Sequence, residues 1–302
     1  IGGARTSRVL AVGAGVFLVS CAVAGLQHFG VWPSSDAMRA LAFTKIPFDR
    51  VYEAVPGAEG RFMAGGLLFH RLKFAHVGGL AVVGLLAFAL RSTGRTRARL
   101  LTAAALGMGA ILMFPFARAA SAALAGASLL VLVLASRRRR QALVLGSVLV
   151  VLGAAAVASQ GPLRARFLSS FESDGNGDRT SLLKAGVSVV RAHPLSGVGA
   201  GRFKVRDWAP EQASDHVRSH PGMAHNQLLS MAAQVGVPGA LLFLFLLAWL
   251  VRKLDATRPE GIASLGALAF FVLLSGVHDP LFHAPFSMAL PLMLGLGAYR
   301  RA

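Results

Sequence analysis

The sequence predicts an all-α, polytopic integral membrane protein with about eight transmembrane helices and one long outer loop that carries short amphipathic helices. Three observations predict it. Of 302 residues, 55% are apolar and only 15% charged, with a mean hydropathy of +0.60, against about 45–50% and 25% in soluble domains. Uncharged stretches of about 17–25 residues, long enough to cross a bilayer, recur along the chain. Basic residues gather on alternate connecting segments. The net charge of +18 would point to nucleic acid in a soluble protein, but here its placement argues otherwise. A single cysteine, Cys21, excludes an internal disulfide and any Cys-based zinc or iron–sulfur site.

The uncharged stretches are 9–26, 74–90, 100–116, 119–136, 141–163, 235–251, 261–278 and 280–299. The first has no cleavage-type ending and reads as a span, not a signal peptide. Residues 100–136 divide at Pro115 and Arg118, where a tight turn between two antiparallel helices fits. The junction GVHDPLFHAPF at 276–286 carries Asp279, two prolines and two histidines, so the last two helices are expected to be short, broken or re-entrant.

Alternating eight spans yields two sets of connections. One set comprises 1–8, 91–99, 137–140, 252–260 and 300–302, and holds 15 basic residues in 33 positions. The opposite segment 27–73 holds 6 in 47. By the positive-inside rule both termini are expected in the cytoplasm, and the four arginines of 137–140 read as a topology anchor. The outer side then receives 27–73, the turn at Arg118 and the long segment 159–234, with no internal repeat and no separable soluble domain. The chain opens on Ile1, not Met, and an N-terminal portion is expected ahead of it.

Within the long segment, DRTSLLKAGVSVVRAHPLSGVGAGRF (178–203) predicts a helix capped by Asp178 or Thr180 and ending near Ala192, before Pro194. Arg179, Leu183, Gly186 and Val190 fall on one face, joining a cation to an apolar stripe. An interfacial helix whose Arg179 snorkels to lipid phosphates satisfies the same pattern. The glycines 197, 199 and 201 read as a tight turn returning the chain to the membrane, because neither the strand nor the Lys-Ser/Thr of a nucleotide loop accompanies them. SDGNGD is not a calcium loop, since Arg179 and Gly186 stand where glycine and glutamate are required.

His216, His220 and His225 follow within ten residues. Pro221 and Gly222 interrupt any helix aligning the first two, and no zinc-site carboxylate pattern accompanies them. A helix starting near Ala224 would place His225 in its first turn, where the dipole favours neutral imidazole and a general-base role; a histidine merely sitting at an interfacial helix start fits as well. Three outer cations remain to be placed, Arg61, Arg118 and Arg179, and no Asp or Glu lies in any predicted span. A phosphate on a lipid substrate is a fitting external partner, and interfacial snorkelling an equal alternative.

These residues carry a resemblance. The pairing of DRTSLLKAGVSVVRAHPLSGVGAGRF with AHNQLLSMAAQVGVPGALLF resembles the signature of the O-antigen ligase and polymerase superfamily of bacterial envelope enzymes, in content and in order within one loop. GRFMAGGLLFHRLKFAH is similar to that family's Arg-x-x-Gly segment opening a helix, and FARAASA to its Ser-Arg turn. The resemblance covers about residues 58–250 of a single integral membrane domain, 1–302, with 159–234 as the periplasmic catalytic loop. It departs at Gln234, where members often carry Glu, and in having fewer spans than most members.

The resemblance implies a metal-independent membrane glycosyltransferase, using no cofactor, of the bacterial inner membrane. Such an enzyme moves a glycan from an undecaprenyl-diphosphate carrier to an acceptor hydroxyl on the periplasmic side, in lipopolysaccharide or polysaccharide biosynthesis. It assigns Arg118 and Arg179 to the diphosphate with Arg61 assisting, His225 to activation of the acceptor, and Asn226 to orienting the histidine or the sugar. The acceptor is lipid A core, a growing glycan or, for a protein O-oligosaccharyltransferase of the same superfamily, a protein; no nucleic acid is involved. Two other classes compete. A transporter would need charged groups within several spans or matched broken helices, and only the HDP junction at 278–280 approaches that. A non-catalytic assembly partner would support transfer only beside another protein.

Overall fold

The structure, a computed structural model, describes residues 2–31, 53–68, 70–136, 139–158, 161, 173–219 and 222–298. They form α1 (Gly2–His28), a two-residue antiparallel pair β1 (Glu53–Ala54) and β2 (Phe62–Met63), α2 (Arg71–Arg91), α3 (Gly94–Met113), α4 (Arg118–Ala135), α5 (Arg139–Ala158), α6 (Ser173–Ala192), α7 (Asp215–Ser219), α8 (Gln227–Lys253), α9 (Pro259–Ser275) and α10 (Ala284–Ala298). A helix stands at each of the eight predicted stretches. Among the described residues four helices, α2, α4, α8 and the Ala11–His28 part of α1, are long and apolar enough to cross a membrane. Helices α9 and α10 are shorter apolar helices, as the prolines and polar residues of their junction predicted.

Several boundaries differ from expectation. Helix α3 stops at Met113, short of the stretch's end at 116, because Pro115 cannot continue it, and Phe116 adopts a left-handed backbone (φ 50) ahead of α4. Helix α8 begins eight residues before the predicted span at 235, and it is kinked at Gly236 (φ 75, ψ 170), so the predicted start coincides with the kink.

The chain divides into two compact units. One comprises Ile1–Arg166, Asp255–Phe270 and Met288–Ala302, the other Phe167–Leu254 and Phe271–Ser287. In the first, α2 is the most enclosed helix, with thirteen buried residues among its 21. Glycines let its neighbours approach. A Cβ on Gly79 would overlap the Phe270 ring, and one on Gly266 would lie 2.5 Å from both Val83 and Val131. Ser264 ties α9 to α10 by donating to the Met293 carbonyl at 2.6 Å. Val12, Val16 and Val19, at helical spacing on α1, are all more than half exposed, an apolar stripe that suits lipid.

In the second unit, Leu182, Ala185 and Val189 of α6 pack with Phe203, Val205, Val217, Ala224 and Ala233. This corrects two expectations for α6. It starts at Ser173, so Asp178 lies inside the helix and its carboxylate accepts from the Ser214 hydroxyl. The buried row is Leu182–Ala185–Val189, one residue off the predicted Leu183 face, and Leu183 is exposed.

Candidate functional site

Arg61 and Arg118 lie in the first unit. Arg61 belongs to the β1–β2 hairpin, not to a segment that opens a helix, and its guanidinium stacks 4.3 Å from the centre of the Phe29 ring. The expected helix start is displaced to Arg71, because the intervening Gly65 and Gly66 dock on α1. Gln27, fully buried there, accepts from both of their N–H groups at 3.1 and 2.8 Å and donates to Gly66 O at 3.1 Å. Arg118 is the first residue of α4 and half-buried. Its turn and the hairpin are neighbours: Ala64 N–H donates to Phe114 O at 2.9 Å, and Val55, Met63 and Phe116 form one buried cluster. Arg71, the first residue of α2, pairs with the hairpin's Glu53 at 2.6 Å.

Arg179 and His225 lie in the second unit. Arg179 is exposed near the start of α6. His225 stands outside α8, correcting the expected helix start near Ala224. The helix begins at Gln227, and Asn226 is its N-cap, its Oδ1 accepting from Leu229 N–H at 3.0 Å. The Asn226 Nδ2 donates to Gly276 O at 3.2 Å, so both ends of this amide are engaged by protein. His225 itself has a left-handed backbone (φ 52), uncommon for a residue other than glycine. That conformation turns the chain sharply into the cap and leaves the imidazole about 42% exposed.

Behind this imidazole sits a group that sequence reasoning did not single out. Asp279 is 4% exposed, and its Oδ2 lies 4.0 Å from His225 Nδ1. The Ser230 hydroxyl and the N–H groups of His225 and Asn226 face the carboxylate and favour its charge, yet none closes to full hydrogen-bond geometry. Burial outweighs them and pushes the carboxyl up to about 6. Gln227, 1% exposed, accepts from Leu281 N–H at 3.0 Å and holds the Asp279 segment to the start of α8. His278 stands edge-on to His225 with ring centroids 5.8 Å apart. The available signal was the lone acid at the HDP junction, but its partner is 54 residues earlier.

The two loop motifs close on each other. Val198 N–H donates to Ala233 O, Gly199 N–H to Gln234 O and Val237 N–H to Pro194 O, all at 2.8–2.9 Å. Gly201 N–H donates to Gln234 Oε1 at 2.6 Å, while Gln234 Nε2 donates to Ser230 O at 3.1 Å. A neutral amide supplies both that acceptor and that donor at any pH, whereas a carboxyl would do so only when protonated. Gly197 and Gly236 have positive φ, and a Cβ on either would enter the backbone of Gln234 or Leu195 respectively. The clamp holds the start of α8, and therefore His225, against the end of α6.

Of the remaining histidines, His216 is exposed on α7 and His220 lies outside the described residues. The four-arginine anchor is described only at Arg139 and Arg140. Residues 103–244 match the family of O-antigen ligases. The interval contains Arg118, Arg179, His225 and Asn226, while Arg61 precedes it and Asp279 follows it. No curated protein matches the chain.

Proposed function

We propose, from the premise that this membrane protein belongs to the O-antigen ligase superfamily through residues 103–244, that it transfers a glycan from an undecaprenyl-diphosphate carrier to an acceptor hydroxyl at the periplasmic face of the bacterial inner membrane. Residues 1–302 act as one membrane domain with both termini cytoplasmic, and 159–234 is its catalytic loop. The observation that carries the reading is the half-exposed imidazole of His225, fixed by the Asn226 cap and backed by the buried Asp279 carboxylate.

In this reading His225 takes the proton of the acceptor hydroxyl through Nε2, the nitrogen turned away from Asp279. The oxygen attacks the anomeric carbon, the bond from that carbon to the phosphate oxygen breaks, and the electron pair leaves with the lipid diphosphate. Asp279 stabilises the resulting imidazolium and keeps Nδ1–H on its side. It is a positioning residue. Arg179, in the unit of His225, offers a planar fork to the leaving diphosphate, and Arg61 and Arg118 keep the phosphate-holding role that the family resemblance gives them. Asn226, spent on the cap and on Gly276, orients His225 and not the sugar. The chemistry needs no metal or cofactor, because the diphosphate is already an activated leaving group.

The test is transfer from purified undecaprenyl-diphosphate oligosaccharide by the chain in lipid nanodiscs, offered lipid A core, glycan and protein acceptors. Product from wild type and none from His225→Ala establishes the reaction, and the labelled acceptor names the subtype. Equal product from both variants removes His225 from the mechanism.

A further inference from the structure

Helix α8 changes character at its kink. Its buried residues Gln227, Ser230, Ala232, Ala233, Gln234 and Gly236 lie at or before the kink, with Ala240 the one beyond it. After it, Leu241, Leu242, Leu244, Phe245, Leu246 and Trp249 are all at least 42% exposed. Gly236 to Lys253 rises about 26 Å, close to the hydrocarbon thickness of about 30 Å. The far end carries Arg252 and Lys253, with Lys253 Nζ 5.6 Å over the Trp249 ring, an aromatic and basic boundary. The kink therefore marks the other boundary, and the residues ahead of it stand in the headgroup layer.

The Leu195 carbonyl abuts Gly236 at this level, and Leu195 is 78% exposed. Three residues earlier in the chain ends an open groove of about 830 Å³ on the outer side of α6. Leu183, Val187 and Trp208 give it an apolar floor; Lys184 and Arg191, one on each side of Val187 along the helix, supply two cations, and no acid among the described residues lines it. A saccharide site ordinarily offers amides and carboxylates to hydroxyl groups. This surface offers an apolar row with paired cations, at headgroup level, continuous with a lipid-facing helix.

We propose that the outer face of α6 seats an anionic membrane lipid, its phosphate between Lys184 and Arg191 and its chains running on from Val187 past Leu195. The proposal needs α8 to cross the membrane, and does not depend on glycan transfer. Lipid contact there would hold α6, and with it Arg179, at a fixed depth.

The experiment uses the full chain with Cys21→Ala and single cysteines at Val187, Leu195 or the exposed Glu211, each spin-labelled in nanodiscs of phosphatidylethanolamine with phosphatidylglycerol or phosphatidylcholine. The label at 195 is expected to be oxygen-accessible and shielded from a nickel chelate, the label at 187 to read the headgroup boundary, and the label at 211 to read water. Spin-labelled phosphatidylglycerol is expected to be held roughly tenfold more than phosphatidylcholine, and Lys184→Gln/Arg191→Gln to abolish that preference with the depth at 195 unchanged. Aqueous readings at 187 and 195 overturn the proposal and leave the groove open to a saccharide. Equal retention of the two lipids, or a preference that survives the double substitution, overturns the headgroup site. A matching thermal unfolding curve for the double variant excludes misfolding as the cause of a lost preference.

Discussion

Replacing Asp279 by Asn is expected to make the protein more stable and less active at pH 7.5. The carboxyl sits near 6, above its ordinary 3.8, chiefly because burial strips its water. Disfavouring ionisation to that extent corresponds to about 3 kcal/mol. The sign follows from proton binding. Between about pH 4 and 6 the folded chain holds a proton that the unfolded chain has released, so stability falls as pH rises through this window. Above 6 the full cost is present, and the neutral amide of Asn removes it. Thermal unfolding in detergent should therefore show the Asp279→Asn variant melting about 5–10 °C higher than wild type at pH 7.5, with the gap narrowing toward pH 4. Transfer should fall at the same time, since Asn cannot stabilise the imidazolium of His225 as a carboxylate does. Wild-type transfer should also weaken below about pH 6, as Asp279 takes up its proton. A lower melting temperature for the variant at pH 7.5, or a gap independent of pH, would refute the reasoning.

Other substitutions test other joints of the site. Arg179→Lys keeps the charge but loses the bidentate fork, so transfer is expected to drop about tenfold or more, and wild-type rates in that variant would remove its diphosphate role. His216→Ala and His220→Ala are expected to leave transfer within about twofold, whereas His225→Ala abolishes it; equal losses in all three, restored by zinc, would revive a metal site. Gly236→Ala is expected to destabilise the protein by about 3 kcal/mol or more, from a backbone conformation reserved for glycine and overlap with the Leu195 carbonyl; an unchanged unfolding curve would show that the clamp is not tight. Gln234→Glu removes the donor to Ser230 O and sets a carboxylate in a buried position, so it is expected to lower the melting temperature more at pH 8 than at pH 5.

Features that depend on short range were legible without the fold. Hydropathy over about twenty residues and the spacing of arginines specify where helices stand, because helix hydrogen bonds and burial in lipid are local to each stretch. Pro115, Pro194 and the HDP junction interrupted that pattern, and the structure turns at each of them. The pairing of His225 with Asn226 at a helix start was legible for the same reason, since neighbours in the chain need no tertiary contact to stand together. Even there the helix start was displaced, because Asn226 caps more strongly than Ala224 and so set the boundary.

Contacts across long separations were not legible in that way. Asp279 reaches His225 over 54 residues, and its consequence depends on burial, which no local pattern reports. Gly197 read as part of a local turn, and only the fold sets it against the Gln234 backbone and Gly236 against Leu195, with Gln234 Oε1 taking the Gly201 N–H across the same contact. Which face of α6 packs, Leu182–Ala185–Val189 and not Leu183, was set by Phe203, Val205 and Ala233 against it. Period and composition permitted both faces, and the choice follows from which apolar surface the rest of the unit can cover.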